Sequence, residues 1–142
     1  MGYYGFLLRL ILCIILSFIV GLERELNGSN AGLRTSIIVC LGSFLFVSSS
    51  FNSCNSDMMR IPSQVISGIG FLGAGIIAID ENKVKAINTA GTVWCVAAIG
   101  VLIGLKLIFE AVIGTFAIIL TNISIKKIKQ HLFPERFHDN DI

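Results

Sequence analysis

The sequence has few charged residues. Only 14% of its 142 residues are Asp, Glu, Lys or Arg, whereas a soluble domain usually carries about 25%. The hydrophobic share is 54%, the mean hydropathy is +0.83, and the apolar residues form long blocks rather than amphipathic stripes. These features indicate lipid rather than water as the solvent. The net charge of +2 is too small to indicate nucleic-acid binding, and the length suits a single domain.

Patterns for catalysis and metal binding are also missing. The cysteines form no Cys-x-x-Cys pair, so neither a zinc site nor a disulfide framework is indicated. We expect the cysteines to serve as small, buried apolar side chains. His131 and His138 have no acidic or cysteine neighbour at ligand spacing. No nucleophile–base pair, phosphate loop or carboxylate pair is visible. We therefore expect no enzymatic activity, no cofactor and no metal site. The cysteines are Cys13, Cys40, Cys54 and Cys95.

Five apolar blocks come close to the roughly 20 residues that a membrane-spanning helix needs. They predict an all-α, polytopic transmembrane bundle of about five spans. No signal-peptide pattern is present, so the first block is predicted to be a retained span. Residues 1–125 form the predicted membrane domain and residues 126–142 a short basic tail. The blocks are Tyr4–Leu22, Thr35–Phe51, Ile61–Ile79, Asn88–Leu105 and Leu107–Ile125.

The distribution of basic residues predicts the orientation, because cytoplasmic segments carry an excess of Lys and Arg. Eight of the 11 basic residues fall on one side of the predicted topology, in the first and third loops and the tail. We therefore expect the N-terminus outside and the C-terminus in the cytoplasm. The tail lysines are expected to anchor this topology against membrane lipid.

The third block carries small residues along one helical face. Ser63, Ser67, Gly70 and Ala74 recur at helical spacing, with Gly68 and Gly75 on a second strip. Small faces let helices approach closely in lipid, which favours a central packing helix. The alternative is a thin helix that lines a polar path past Gln64 and Ser67. The Gly100-x-x-x-Gly104 pattern in the fourth block predicts packing within the chain, with a homo-oligomer as the alternative.

Charged and polar residues mark the predicted cytoplasmic end. Glu23, Glu25, Arg24 and Arg34 either anchor the helices at the interface or form an ionic cluster that fastens the loop or receives a partner. Asn88 is predicted to be a helix N-cap.

Two charges lie inside the predicted spans near the outer side. Arg9 and Glu110 are each about one turn from the end of their span, where snorkelling to the interface is the simple interpretation. Since both lie at similar depth, we also propose an intramembrane Arg9–Glu110 ion pair.

Three stretches, in order, resemble the MgtC/SapB family. They are GLERE with AGLRT, RIPSQVISGIGFLGAG, and NTAGTVW followed by AAIG. Pro62 and Ser63 replace two alanines that the family usually shows, and Gly91 replaces another. Many members also have a soluble C-terminal domain, which we expect this chain to lack. The matching positions are Glu23, Arg24, Glu25, Arg34, Thr35, Arg60, Gln64, Ser67, Gly68, Gly70, Phe71, Gly73, Gly75, Asn88, Thr89 and Trp94.

The resemblance implies a non-enzymatic membrane regulator linked to magnesium homeostasis, low-magnesium growth or virulence. It implies contacts with other membrane proteins, such as the ATP synthase or a magnesium transporter. The alternative is a small cation (magnesium) transporter or channel. Magnesium sites usually use one or two carboxylates, and no acidic residue lies near the middle of a predicted span, which favours the regulator.

The orientation can be tested with reporters fused to each end. We expect a C-terminal green fluorescent protein to fluoresce and a C-terminal alkaline phosphatase to be inactive, because the C-terminus is predicted to be cytoplasmic. The same pair of reporters at the N-terminus should give the opposite result. Reporters that place both ends on one side would contradict the five-span topology.

Overall fold

The computed structural model describes residues 3–29, 31–50, 59–80 and 83–132. Within these ranges the chain forms the expected helical bundle, with one short hairpin that the sequence did not predict. The elements are α1 (Tyr3–Leu26), α2 (Leu33–Ser50), α3 (Arg60–Ile76), β1 (Ala78–Asp80), β2 (Lys83–Lys85), α4 (Ile87–Gly104) and α5 (Ile108–Leu132). The two strands pair antiparallel, with Ile79 opposite Val84.

Four of the five helices, α1, α2, α4 and α5, are long and apolar enough to cross a membrane by length and composition. The fifth, α3, has 17 residues, which is the lower end of the range of about 17–25 for a spanning helix. The helix α5 continues past Ile125, the predicted end of its span. The all-α bundle of five helices is therefore confirmed.

The helix α4 lies at the centre of the bundle and packs against all four other helices. Of its apolar segment, 61% is buried, compared with 11% for α5. Phe44 of α2 and Ile99 and Ile103 of α4 fill the core with side chains from α1. The central helix thus differs from the prediction, which placed α3 in that role.

Glycines allow α2 and α4 to approach closely. A Cβ atom at Gly100 would overlap the carbonyl oxygen of Cys40 and lie 2.9 Å from Ser43 Cβ, and one at Gly104 would lie 2.7 Å from Val47 Cβ. Gly21 plays a similar part between α1 and α2, because its Cβ would lie 2.9 Å from Leu33 Cα. The interpretation of Gly100-x-x-x-Gly104 as a packing motif within the chain is confirmed.

The helix α3 lies at the edge of the bundle. Pro62, in its first turn as expected, is the only α3 residue that is buried, and α3 packs on α4 and, less extensively, on α2. The prediction of a central packing helix was wrong, because small residues permit close approach without specifying which helix makes it.

The turns on either side of α4 depend on residues with positive φ. Lys106 has φ 68°, and the amides of Lys106 and Leu107 donate to the carbonyls of Ile103 and Leu102. This pair of bonds is a Schellman motif, which produces the tight α4–α5 turn that the sequence predicted. At the other end the N-cap is Ala86, with φ 64°. The prediction of Asn88 as N-cap was therefore wrong, because the chain enters the helix directly from the hairpin.

The close contact between α2 and α4 can be tested by substitution. We expect Gly100→Ala to lower the free energy of unfolding by about 1–3 kcal/mol, because the added methyl group forces two packed backbones apart. Gly91→Ala is the matched control, because Gly91 lies in the same helix and no described atom comes within 4 Å of its Cβ position. Unfolding in detergent micelles with increasing SDS gives both values, and equal stability of the two variants would contradict the packing role.

Candidate functional site

The polar residues of the first and third matched motifs gather at one end of the bundle, which we call the loop end. Here α1 finishes, the loop of residues 27–32 turns, and α2 and α4 begin. Ala31 and Gly32 of this loop are buried, and Ser29 Oγ lies 3.1 Å from Thr89 Oγ1 in the first turn of α4. The loop therefore connects α1 and α2 along the chain and contacts α4 through Thr89.

Glu25 caps the start of α2. Its Oε2 accepts the Leu33 N–H at 2.9 Å, and the carboxylate lies where a Cβ of Gly32 would be. Ser36 Oγ donates to the Gly32 carbonyl at 2.9 Å, which fixes the same turn. A negative charge beside a helix N-terminus is favourable because of the helix dipole. Glu25 therefore holds the loop in place by accepting a hydrogen bond from a backbone N–H of α2.

Glu23 joins α1 to α5. Its Oε2 accepts a hydrogen bond from Asn122 Nδ2 at 3.0 Å, and its Oε1 accepts one from Asn27 Nδ2. Lys126 Nζ in turn donates to Asn27 Oδ1. We call these four residues the α1–α5 polar cluster. Since α5 has little buried surface, these bonds are specific points that hold it to α1.

The two arginines of the loop end differ in environment. Arg34, in the first turn of α2, is exposed. Arg24 is half-buried, and its Nε is buried with no hydrogen-bond partner among the described residues. Asn88 is exposed, and Thr35 is half-buried. Arg34 and Asn88 therefore offer unburied polar groups at the loop end, where a partner could reach them.

The glycine-rich motif of α3 is exposed rather than packed. Among the residues that the structure describes, Gly68, Gly70 and Gly75 have nothing within 4 Å of their Cβ positions, and a Cβ of Gly73 would lie 3.9 Å from Ala90 Cβ. The Phe71 side chain is 82% exposed. Gln64 and Ser67 are also exposed. These residues therefore form an open face, which we call the α3 face.

A shallow apolar groove separates α3 from α4. Trp94 of α4, which is 50% exposed, lines it together with Val65, Ile66 and Ile69 of α3. Because Val65 lies near Val101 while Gly73 lies near Ala90, the two helices run antiparallel. Arg60 and Gln64 are therefore remote from the loop end, and the matched motifs form two separate regions.

Arg9 is buried, with 7% of its surface exposed. Its Nε donates to the Gly5 carbonyl at 3.1 Å, its Nη1 reaches the Gly104 carbonyl at 3.4 Å, and its guanidinium lies 6.0 Å from the centre of the Phe44 ring. Gly104 ends α4, so the cation lies at the negative end of that helix dipole. Glu110 is exposed in the first turn of α5, and the Arg9–Glu110 pair stays a prediction.

Sequence reasoning missed Asn27, Asn122 and Lys126 as members of the site. An asparagine inside an apolar block, as Asn122 is, was the available signal, because a polar group in a spanning helix usually has a partner within the bundle. The described residues contain no group of three His, Cys, Asp or Glu side chains suited to a metal ion. Chemically, the polar residues of the loop end act as hydrogen-bonding contacts between helices.

Comparison with known proteins gives consistent matches over most of the chain. The model of the MgtC family matches residues 10–131. An uncharacterized protein of Synechocystis is 39% identical over 137 residues, which cover 96% of this chain and 58% of that protein. Protein MgtC of Salmonella typhimurium is 38% identical over 129 residues, covering 91% and 56% of the two chains.

Protein MgtC of Brucella abortus is 44% identical over 119 residues, covering 83% of this chain and 50% of that protein. The chain therefore spans about half the length of the curated relatives it matches. No solved structure matches it.

The cap on α2 can be tested at Glu25. We expect Glu25→Ala to lower the free energy of unfolding by about 1 kcal/mol, because the Leu33 N–H loses its acceptor. Glu25→Gln keeps an acceptor oxygen and should lose less. Arg34→Ala is the control, at an exposed position in the first turn of α2. We expect it to change the free energy of unfolding by no more than about 0.5 kcal/mol. An equal loss for Glu25→Ala and Arg34→Ala in SDS unfolding would rule out the cap.

Proposed function

The chain belongs to the MgtC family, and on this premise we propose that it is a membrane regulator without enzymatic activity. It acts by helix–helix contact with other membrane proteins, in magnesium homeostasis, growth at low magnesium or virulence. The observation that carries this proposal is the exposed α3 face, which is rich in glycine and has no described atom within 4 Å of the Cβ positions of Gly68, Gly70 and Gly75.

The contrast between α3 and α4 supports this use of the α3 face. Gly100 and Gly104 of α4 are covered by α2, whereas no described residue lies within 4 Å of the Cβ positions of Gly68, Gly70 and Gly75 of α3. In lipid, helices associate through close packing and hydrogen bonds, and small residues allow both. Lipid chains can cover an apolar face of any composition, whereas close packing of a second helix requires small residues. A second helix therefore explains why the α3 face is rich in glycine.

The loop end supplies polar contacts for the same partner. Arg34 and Asn88 are exposed there, and Thr89 is bonded to the loop through Ser29. We place this end in the cytoplasm, following the excess of basic residues on that side. A partner that packs along α3 would also meet Asn88, because the hairpin of residues 78–85 leads from the end of α3 to the start of α4.

The family resemblance names the partners to be tested, which are the ATP synthase and a magnesium transporter. The membrane is proposed to be the bacterial plasma (inner) membrane. A second copy of this chain, bound through the α3 face as a homo-oligomer, is a further candidate partner. Affinity capture distinguishes the candidates, because it identifies the protein that is recovered with the chain.

The proposal is tested by affinity capture in mild detergent with a substitution on the α3 face. We expect the wild-type chain to recover a membrane protein, and Gly68→Leu to reduce that recovery about tenfold, equivalent to about 1.4 kcal/mol of binding free energy. The larger side chain separates the two helices. Gly114→Leu is the control, because the part of the chain that the structure describes also leaves the Cβ position of Gly114 in α5 without a neighbour within 4 Å.

Three outcomes would contradict either the regulator function or the role of the α3 face in it. The first is that no membrane protein is recovered above background. The second is equal loss of recovery for Gly68→Leu and Gly114→Leu, which would exclude the α3 face. The third is magnesium flux into liposomes that contain only this purified protein, which would favour the transporter.

A further inference from the structure

We propose that Cys13 and Cys40 are a modification site, at which hydrogen peroxide joins the two thiols in a disulfide that links α1 to α2. The site is independent of the proposed function, because neither residue belongs to the α3 face or to the loop end. It would give the bundle an oxidised form in which two adjacent helices are covalently connected.

The geometry brings the two sulfur atoms together. The Sγ atoms lie 3.0 Å apart, and both residues are fully buried in the core between α1 and α2. Both are free thiols. A disulfide has an S–S length of about 2.05 Å, so bond formation requires the sulfurs to move together by about 1 Å. Such a movement is within the reach of side-chain rotation.

Neighbouring groups hold this pair in place. Cys40 Sγ lies 3.8 Å from the carbonyl oxygen of Cys13, and Ser17 Oγ donates to the same oxygen at 2.7 Å. On the other side of Cys40, its own carbonyl oxygen faces Gly100 at the close contact with α4. The backbone of α2 is therefore fixed at this position, which keeps Cys40 opposite Cys13.

The reaction needs only the two thiols and one peroxide. The sulfur of one thiol attacks the peroxide, an S–O bond forms and the O–O bond breaks, and the departing hydroxide takes the thiol proton and leaves as water. The second thiol then attacks the sulfenic sulfur, the S–S bond forms, the S–O bond breaks, and a second water leaves. The two sulfurs together lose two electrons, and the peroxide gains them.

Cys95 provides an internal comparison. It is a half-buried free thiol on α4, so an oxidant reaches it more easily than it reaches the buried pair. If exposure decided the outcome, Cys95 would be oxidised first. If the distance between sulfurs decides it, Cys13 and Cys40 are lost together, because a sulfenic acid formed on either residue is captured at once by its neighbour.

The linked form has a structural consequence for the loop end. The bond would close the chain between two positions that are 27 residues apart, with the loop of residues 27–32 inside the closed segment. A cross-link of this kind restricts the unfolded chain. The oxidised protein is therefore expected to unfold at a higher SDS concentration than the reduced protein.

The experiment uses the full wild-type chain in lipid nanodiscs. After treatment with hydrogen peroxide, the protein is denatured, free thiols are alkylated, and peptides are mapped by mass spectrometry. We expect a peptide that links Cys13 to Cys40, loss of both thiols on the order of tenfold greater than loss of the Cys95 thiol, and reversal by a dithiol reductant. In the Cys40→Ser variant, Cys13 should instead stay alkylatable or become over-oxidised.

The proposal is overturned if Cys13 and Cys40 remain as alkylatable as in the untreated sample. It is also overturned if they are found only in sulfinic or sulfonic form, or linked between two chains. These readouts come from the wild-type protein, so they remain decisive even if the Cys40→Ser variant does not fold. They are also separate from partner capture, so failure here leaves the regulator unaffected.

Discussion

The close approach of α2 and α4 is the contact on which the rest of the bundle depends. Lipid removes the hydrophobic force between helices, so association rests on dispersion and hydrogen bonds, and both need short distances. Gly100 and Gly104 provide these distances at the core. Because α4 is fixed against α2 along one side, its other sides are available to α1, α3 and α5. The bundle is therefore organised around α4.

The helix ends account for several of the polar groups near the bundle. The first amides and last carbonyls of a helix have no partner within it, and an unpaired polar group is costly in lipid. Glu25 serves the start of α2, Arg9 serves the end of α4, and the Lys106 turn closes α4 with its own backbone. These charged residues thus satisfy helix ends. The exposed residues of the α3 face have no such role within the described chain.

The sequence predicted the helices themselves better than it predicted which helices pack against each other. Apolar blocks of about 20 residues are a local property, so the five helices follow from them, and Gly100-x-x-x-Gly104 identified a packing face. The same signal in α3 was misleading, because spacing does not tell which helix lies opposite. The contacts of Glu23 with Asn122 and of Cys13 with Cys40 depend on how each helix is rotated within the bundle. No local pattern contains that information.

The hydrogen bond between Arg9 and Gly104 has a consequence for biosynthesis. A ribosome adds Arg9 long before Gly104, at about 5–20 residues per second, so the first helix reaches the membrane while this acceptor does not yet exist. Before α4 exists, the guanidinium can use the Gly5 carbonyl of its own helix but not the Gly104 carbonyl. The contact between Arg9 and the end of α4 can therefore form only after the fourth helix has been made.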